Sequence, residues 1–219
     1  MKIKNIRTVL SLFALTLAAA ANAQTNIDAT NKFAWCENIG WSNWRDAGSP
    51  TGAQGALIAG SFLSGFVWSE NTGYLNLGDG TPTGGSAYAN VNGLDFGVNI
   101  LVDSRLGGLA WGENIGWINF GPFASLAAAQ QARFDTASAR LRGYAWGENI
   151  GWMNLDDANH FVGIRCAADF NGDGSVDFFD YLDFVDAFSA NLPAADFNID
   201  GSIDFFDYLD FVDAFAAGC

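Results

Sequence analysis

Positive charge is scarce in this chain: 10 Lys and Arg face 24 Asp and Glu, a formal charge of −14 over 219 residues. Phosphates are bound by clusters of Lys and Arg, so the deficit argues against DNA or RNA as the main partner. Histidine occurs once, as His160, in a polar stretch with no cysteine beside it, so no Ser-His-Asp or Cys-His arrangement is available to activate a nucleophile. Beyond the N-terminus there is no apolar run approaching the roughly 20 residues that a bilayer core demands. Disorder is excluded from the opposite direction. Half of the residues are apolar and 15% are aromatic, enough to build a packed core.

The apolar run at the N-terminus is short and has the flanks of a secretory signal peptide. Lys2, Lys4 and Arg7 precede an almost unbroken apolar stretch over residues 9–20, and Ala21-Asn22-Ala23 supplies small residues at a cleavage spacing. Residues 1–23 are therefore expected to be removed, leaving 196 residues with a charge of −17. The expected location is extracellular or cell-surface associated, with no membrane span after cleavage, where calcium is plentiful and disulfides persist. Three cysteines, Cys36, Cys166 and Cys219, are an odd number for such a compartment.

The acids are unevenly distributed. Residues 166–219 hold 12 Asp and no Glu, Lys or Arg, whereas residues 24–165 carry a charge of only −5. Two domains of different physics are expected, 24–165 and 166–219.

The first contains an internal repeat. Ala34-Trp35-Cys36-Glu37-Asn38-Ile39-Gly40-Trp41 returns as Val67-Trp68-Ser69-Glu70-Asn71-Thr72-Gly73-Tyr74, as Ala110-Trp111-Gly112-Glu113-Asn114-Ile115-Gly116-Trp117, and as Ala145-Trp146-Gly147-Glu148-Asn149-Ile150-Gly151-Trp152. Steps of 33, 43 and 35 residues between the leading tryptophans mark one supersecondary unit copied four times. Each copy reads as two strands around a tight Glu-Asn turn, with residues 96–99 and 132–135 offering third strands and 126–133 a brief helix. The predicted fold is a mainly β domain of four such units, two to three strands each, arranged as a sheet or barrel. After the turn, Leu75, Leu77, Ile118, Phe120, Met153 and Leu155 fall on one face, which must be core. Trp41, Tyr74, Trp117 and Trp152 fall on the other with Asn43, Asn76, Asn119 and Asn154. Those aromatics either pack between neighbouring units while each Glu-Asn caps its turn, or form a platform for sugar rings with the Asn side chains donating hydrogen bonds. Glu113 and Glu148 suggest a glycosidase pair, but a glycosidase uses one pair and this Glu recurs four times at one structural position, so no catalytic residue is assigned. Cys36 stands where the other units have Ser69, Gly112 and Gly147: a small residue at a small-residue position, or the site of an intermolecular disulfide.

The second domain carries two copies of a calcium-loop pattern. Asp169, Asn171, Asp173, Asp177 and Asp180 occupy positions 1, 3, 5, 9 and 12 of the first, Ser175 supplies the position 7 carbonyl, and Gly174 at position 6 permits the sharp turn. Asp196, Asn198, Asp200, Ser202, Asp204 and Asp207 repeat the set 27 residues later. Val176 is expected to form a β-bridge with its counterpart in the second loop. Each loop runs into the same sequence, at 177–188 and 204–215. Phe178, Tyr181, Leu182 and Val185, like Phe205, Tyr208, Leu209 and Val212, recur at helical spacing, predicting an amphipathic helix after each loop and none before it.

Paired calcium loops, each followed by one helix and ending in Asp, resemble the dockerin family over residues 166–219, and the terminal Gly218-Cys219 with Cys166 resembles its GC-type members. The resemblance implies two bound Ca²⁺ ions and a cohesin-like protein receptor that attaches the chain to an assembly or surface. It also implies that the receptor is met at Phe178, Phe179, Val185 and Asp186, and at Phe205, Phe206, Val212 and Asp213 in the second copy. Cellulosomal dockerins usually have small polar residues where this chain has the Phe pairs. The same Phe residues are alternatively core fillers, since 54 residues need every apolar side chain they have. Cys166 and Cys219 are expected to form a disulfide clasping the module, contributing about 4 kcal/mol by loop entropy. The Ala-Trp-x-Glu-Asn-Ile-Gly-Trp unit is similar to repeats of secreted bacterial proteins and carries no assigned function. The functional expectation is a secreted, non-catalytic, calcium-dependent protein docked through its C-terminus, or alternatively a carbohydrate-binding accessory protein of a polysaccharide-degrading assembly.

Overall fold

The computed structural model describes residues 25–48, 54–173, 175–198 and 200–218; the expected signal segment, Gly174 and Cys219 lie outside the described residues. Fourteen strands and two helices are described. Along the chain the strands are β1 (Ile27–Cys36), β2 (Gly40–Asn43), β3 (Leu57–Ala59), β4 (Phe62–Ser64), β5 (Phe66–Ser69), β6 (Gly73–Asn76) and β7 (Val98–Ile100). Then follow β8 (Leu106–Gly112), β9 (Gly116–Asn119), β10 (Arg133–Asp135), β11 (Arg140–Arg142), β12 (Tyr144–Gly147), β13 (Gly151–Asn154) and β14 (Val162–Ile164). The helices are α1 (Phe178–Ser189) and α2 (Phe205–Ala217). The brief helix expected over 126–133 is a single 3-10 turn, Ala128–Gln130.

Each repeat is an antiparallel hairpin: β1–β2, β5–β6, β8–β9 and β12–β13. The turn chemistry explains why. In the second to fourth units a backbone bond of 3.2–3.3 Å closes the turn, and Gly40, Gly73, Gly116 and Gly151 then take φ of +71 to +80° at the start of the second strand. Glycine reaches that left-handed conformation without a Cβ penalty, and it returns the chain into the hairpin. Neighbouring hairpins pair antiparallel through β2–β5, β6–β8 and β9–β12, and β13 pairs back onto β1. Eight strands thus close into a barrel with no free edge. The expected third strands β7 and β10 lie outside this ring, β7 on β8 and β10 on β11.

Strand alternation determines what fills the barrel. Before each turn the inward residues are small, Ala34, Cys36, Val67, Ser69, Ala110, Gly112, Ala145 and Gly147; after it, Leu75, Ile118 and Met153 fill the centre. An eight-stranded barrel has room for this pairing of small and large side chains and little more. Ile39, Ile115 and Ile150 are buried in the turns, and Trp44, Leu77, Phe120 and Leu155, each just past a second strand, are buried at the opposite end. Cys36 is buried as a free thiol whose Sγ lies 2.9 Å from the Ile150 carbonyl, which places it as a packed small residue of the interior.

The Asn of each turn caps the neighbouring turn, where its own turn was the expectation. Asn38, Asn71, Asn114 and Asn149 donate through Nδ2 to the carbonyls of Ile150, Ile39, Thr72 and Ile115 at 2.9–3.2 Å. The four bonds run head to tail around the barrel mouth, so one residue type at one repeat position fastens every hairpin to the next. Asn149→Ala leaves the Ile115 carbonyl unpaired and is expected to lower stability by about 1 kcal/mol. Urea unfolding followed by tryptophan fluorescence reads this out; an unchanged midpoint overturns the fastening role.

Candidate functional site

In the acidic module the capping residues organise both loop–helix units alike. Asp177 and Asp204 are the N-caps of α1 and α2, each closing a capping box with the Asp three residues on. Those partners, Asp180 and Asp207, are fully buried. Asp180 accepts from the backbone N–H of Asn171 through Oδ1 and of Asp177 through Oδ2; Asp207 accepts from Phe197, Asn198 and Asp204. Each carboxylate therefore ties the start of its loop to the end. Within the loops Asp169 and Asn171 accept from the Asp173 N–H, Asp196 and Asn198 accept from the Asp200 N–H, and Asp173 and Asp200 accept from Ser175 and Ser202.

No group of three or more His, Cys, Asp or Glu is gathered for a metal among the described residues. The donor chemistry nonetheless fits a hard cation. Every donor is oxygen, the module has no Lys or Arg, and Asp180 and Asp207 are carboxylates buried with only backbone donors. Buried charge without a counter-ion is unfavourable, and a divalent ion would supply the missing positive charge.

The helices meet about a pseudo-two-fold axis. Phe184 and Phe211, 27 residues apart, stack with ring centroids 4.0 Å apart and planes 5° from parallel, and the Tyr181 and Tyr208 hydroxyls are 3.2 Å apart. The hydrogen bond with Tyr181 raises the Tyr208 phenol above its ordinary pKa. Phe170 and Phe197, one residue into each loop, close edge-on over the stacked pair. No β-bridge joins Val176 to Ile203 among the described residues; the units are joined through their helices instead. Cys166 is disulfide-bonded, and its expected partner Cys219 lies outside the described residues.

The predicted receptor residues separate into two groups. Phe178, Phe179, Phe205 and Phe206 are 63–65% exposed, so they do not fill the core. Asp186 and Asp213 are exposed about two helical turns further along. Val185 and Val212 are half-buried against the aromatic cluster. Leu182 and Leu209, part of the apolar spacing that predicts the helices, are exposed next to the Phe pairs. The buried stripe is Tyr181, Phe184, Val185 and Phe188, three residues further along the helix. Spacing alone does not separate the two, because both stripes follow the same i, i+3, i+4, i+7 pattern.

On the barrel, the repeat's aromatics face outward and do not pack between units. The register sets Trp35 opposite Trp41 within the hairpin but opposite Asn154 across the seam, and the other three units repeat the arrangement. Each hairpin therefore carries an edge-to-face pair on its outer wall, Trp35–Trp41, Trp68–Tyr74, Trp111–Trp117 and Trp146–Trp152, with centroids 4.7–5.0 Å apart. Such a pair is worth about 0.5–1.5 kcal/mol to a hairpin beyond its buried area. Seven of the eight rings remain 36–44% exposed, including the leading Trp35, Trp68, Trp111 and Trp146, which the strand pattern after the turn did not single out. The carboxamide oxygens of Asn43, Asn76, Asn119 and Asn154 accept backbone N–H groups just past their strands, so these residues end the strands. Glu37, Glu70, Glu113 and Glu148 are exposed at equivalent turn positions, and none makes an ion pair among the described residues. No protein-family model matches the chain, and neither a curated protein nor a solved structure matches it.

Proposed function

We propose that this is a secreted, non-catalytic protein whose acidic C-terminal module binds two Ca²⁺ ions and docks the barrel onto a cohesin-like protein receptor. The observation that carries the reading is the pair of symmetry-related apolar faces, Phe178, Phe179 and Leu182 with Phe205, Phe206 and Leu209, exposed on a module that holds no basic residue. Large apolar side chains left in water beside acids are the usual anchors of a protein interface. The charge around them indicates a receptor with an apolar pocket rimmed by Lys and Arg. The ions would be held by Asp169, Asn171, Asp173, Ser175, Asp177 and Asp180, and by Asp196, Asn198, Asp200, Ser202, Asp204 and Asp207. Their contribution is to neutralise the loops so that both helices present their faces.

Immobilised full chain is expected to retain a receptor from the culture supernatant of the producing organism in calcium and release it in EDTA. Phe178→Ser with Phe179→Ser, Phe205→Ser and Phe206→Ser should abolish retention while the helical circular dichroism persists. Equal retention with and without calcium, or by the fourfold variant, overturns the proposal.

A further inference from the structure

The four-fold repeat departs from its pattern at the turn of the second unit and the strand that follows it, and the departure coincides with a groove. Three units have Ile at the turn and Trp at the start of the second strand: Ile39 and Trp41, Ile115 and Trp117, Ile150 and Trp152. The second unit has Thr72 and Tyr74 instead. Both residues line an open groove of about 380 Å³ between the second and third hairpins, whose other lining includes Phe66, Asn76, Trp111 and Glu113. Thr72 and Tyr74 are smaller than the Ile and Trp at the same positions of the other units. Each also brings a hydroxyl to a position that is hydrocarbon or indole elsewhere in the barrel. Packing does not account for the exchange, because the Thr72 hydroxyl is buried without a hydrogen-bond partner, an unfavourable state for an oxygen that Ile would not carry.

From this juxtaposition we infer that the groove binds a short stretch of an uncharged polysaccharide. Tyr74 is held edge-on by Phe66 and Trp68, with centroids at 5.9 and 4.7 Å, and remains the most exposed of the paired aromatics. Trp111 stands across the seam, opposite Asn76. Aromatic rings take the C–H face of a pyranose, while the Tyr74 hydroxyl, the Asn76 amide N–H and the Glu113 carboxylate match sugar hydroxyls. No Lys or Arg lines the groove, and Glu113 repels anions, so acidic sugars are excluded. The volume lies at the small end of ligand pockets, roughly 300–1,000 Å³, and the groove is open along the barrel wall, as a chain passing through requires. The site belongs to the barrel alone and is independent of the docking proposal; its failure would leave that proposal untouched.

The test titrates the full chain, in calcium, with cellohexaose, xylohexaose and an oligogalacturonide, following backbone amide resonances by NMR. A neutral oligosaccharide is expected to bind with a Kd of about 1 mM or tighter and to shift residues around Tyr74 and Trp111 first. Thr72→Ile with Tyr74→Trp gives the second unit the turn Ile and second-strand Trp of its neighbours, should fold at least as well, and should bind about tenfold more weakly. Tyr74→Phe, which keeps the ring and removes one hydroxyl, should lie between. No shift with either neutral sugar, oligogalacturonide binding as tightly as the neutral sugars, or both variants binding like the parent each overturns the inference.

Discussion

Excess EDTA added to the full chain is expected to remove the helical circular dichroism of the C-terminal module while the near-ultraviolet signal of the barrel tryptophans stays in place. Twelve carboxylates and no base share residues 166–219, and two of the carboxylates, Asp180 and Asp207, are fully buried. Without a cation, repulsion among the acids and the desolvation of that buried pair act against α1 and α2 together. No such dependence is expected of the barrel. Its closure rests on backbone pairing, on the ring of Asn bonds and on an interior of small and aliphatic side chains. Ligand linkage gives the scale: at calcium a hundredfold above Kd each site adds about 2.7 kcal/mol, so two sites exceed what a 54-residue core is expected to hold in reserve. Calorimetry should show uptake of two ions, and readdition of calcium should restore the helices. Full helicity retained in EDTA, or no metal uptake at millimolar calcium, ends the calcium reading.

The parts of this molecule that could be read from its sequence are those decided within a few residues. The hairpins follow from Glu-Asn-Ile-Gly, because the turn and the left-handed glycine are local. The inward face after the turn follows from the alternation of Leu75 and Leu77 or Met153 and Leu155. Closure could not be read that way. It depends on β1 finding β13 and on Asn38 reaching Ile150 across 112 positions, and an open sheet of the same hairpins has an identical sequence pattern. The outward direction of the first-strand tryptophans was legible in principle. Trp35 lies between Ala34 and Cys36, and residues that small belong in a narrow interior. The Asn side chains were assigned to a ligand or to their own turns because the bonds they make are to carbonyls of another unit or to amides just past the strand.

Helix register in the acidic module was undetermined for a different reason. The acids Asp180, Asp183 and Asp186 recur every three residues and spread over about a third of the helix circumference, so most of the remainder is apolar. Two stripes then compete, one on Phe178 and Leu182 and one on Phe184 and Phe188. The choice is made between the two units, where the 27-residue repeat brings Phe184 onto Phe211 and Tyr181 onto Tyr208, an interaction no single helix contains. The stripe that loses is left in water, which is how a sequence that looks like core leaves an exposed apolar face.

That division gives a second large effect. Phe184→Ala removes a fully buried ring that touches Phe170, Phe188, Phe197, Tyr208 and Phe211, and a buried Phe-to-Ala change costs about 3–5 kcal/mol. For so small a core the expected result is a module that no longer folds in calcium, with helicity and metal uptake lost together while the barrel still unfolds at its usual urea midpoint. Phe178→Ala, on the same helix but 64% exposed, should leave helicity and calcium uptake within experimental error of the parent and act only on receptor retention. Circular dichroism under a calcium titration separates the two outcomes. If Phe184→Ala folds at the parent's calcium concentration, or if Phe178→Ala is the variant that unfolds, the inner and outer faces of α1 have been assigned the wrong way round, and the apolar face on which docking depends is part of the core.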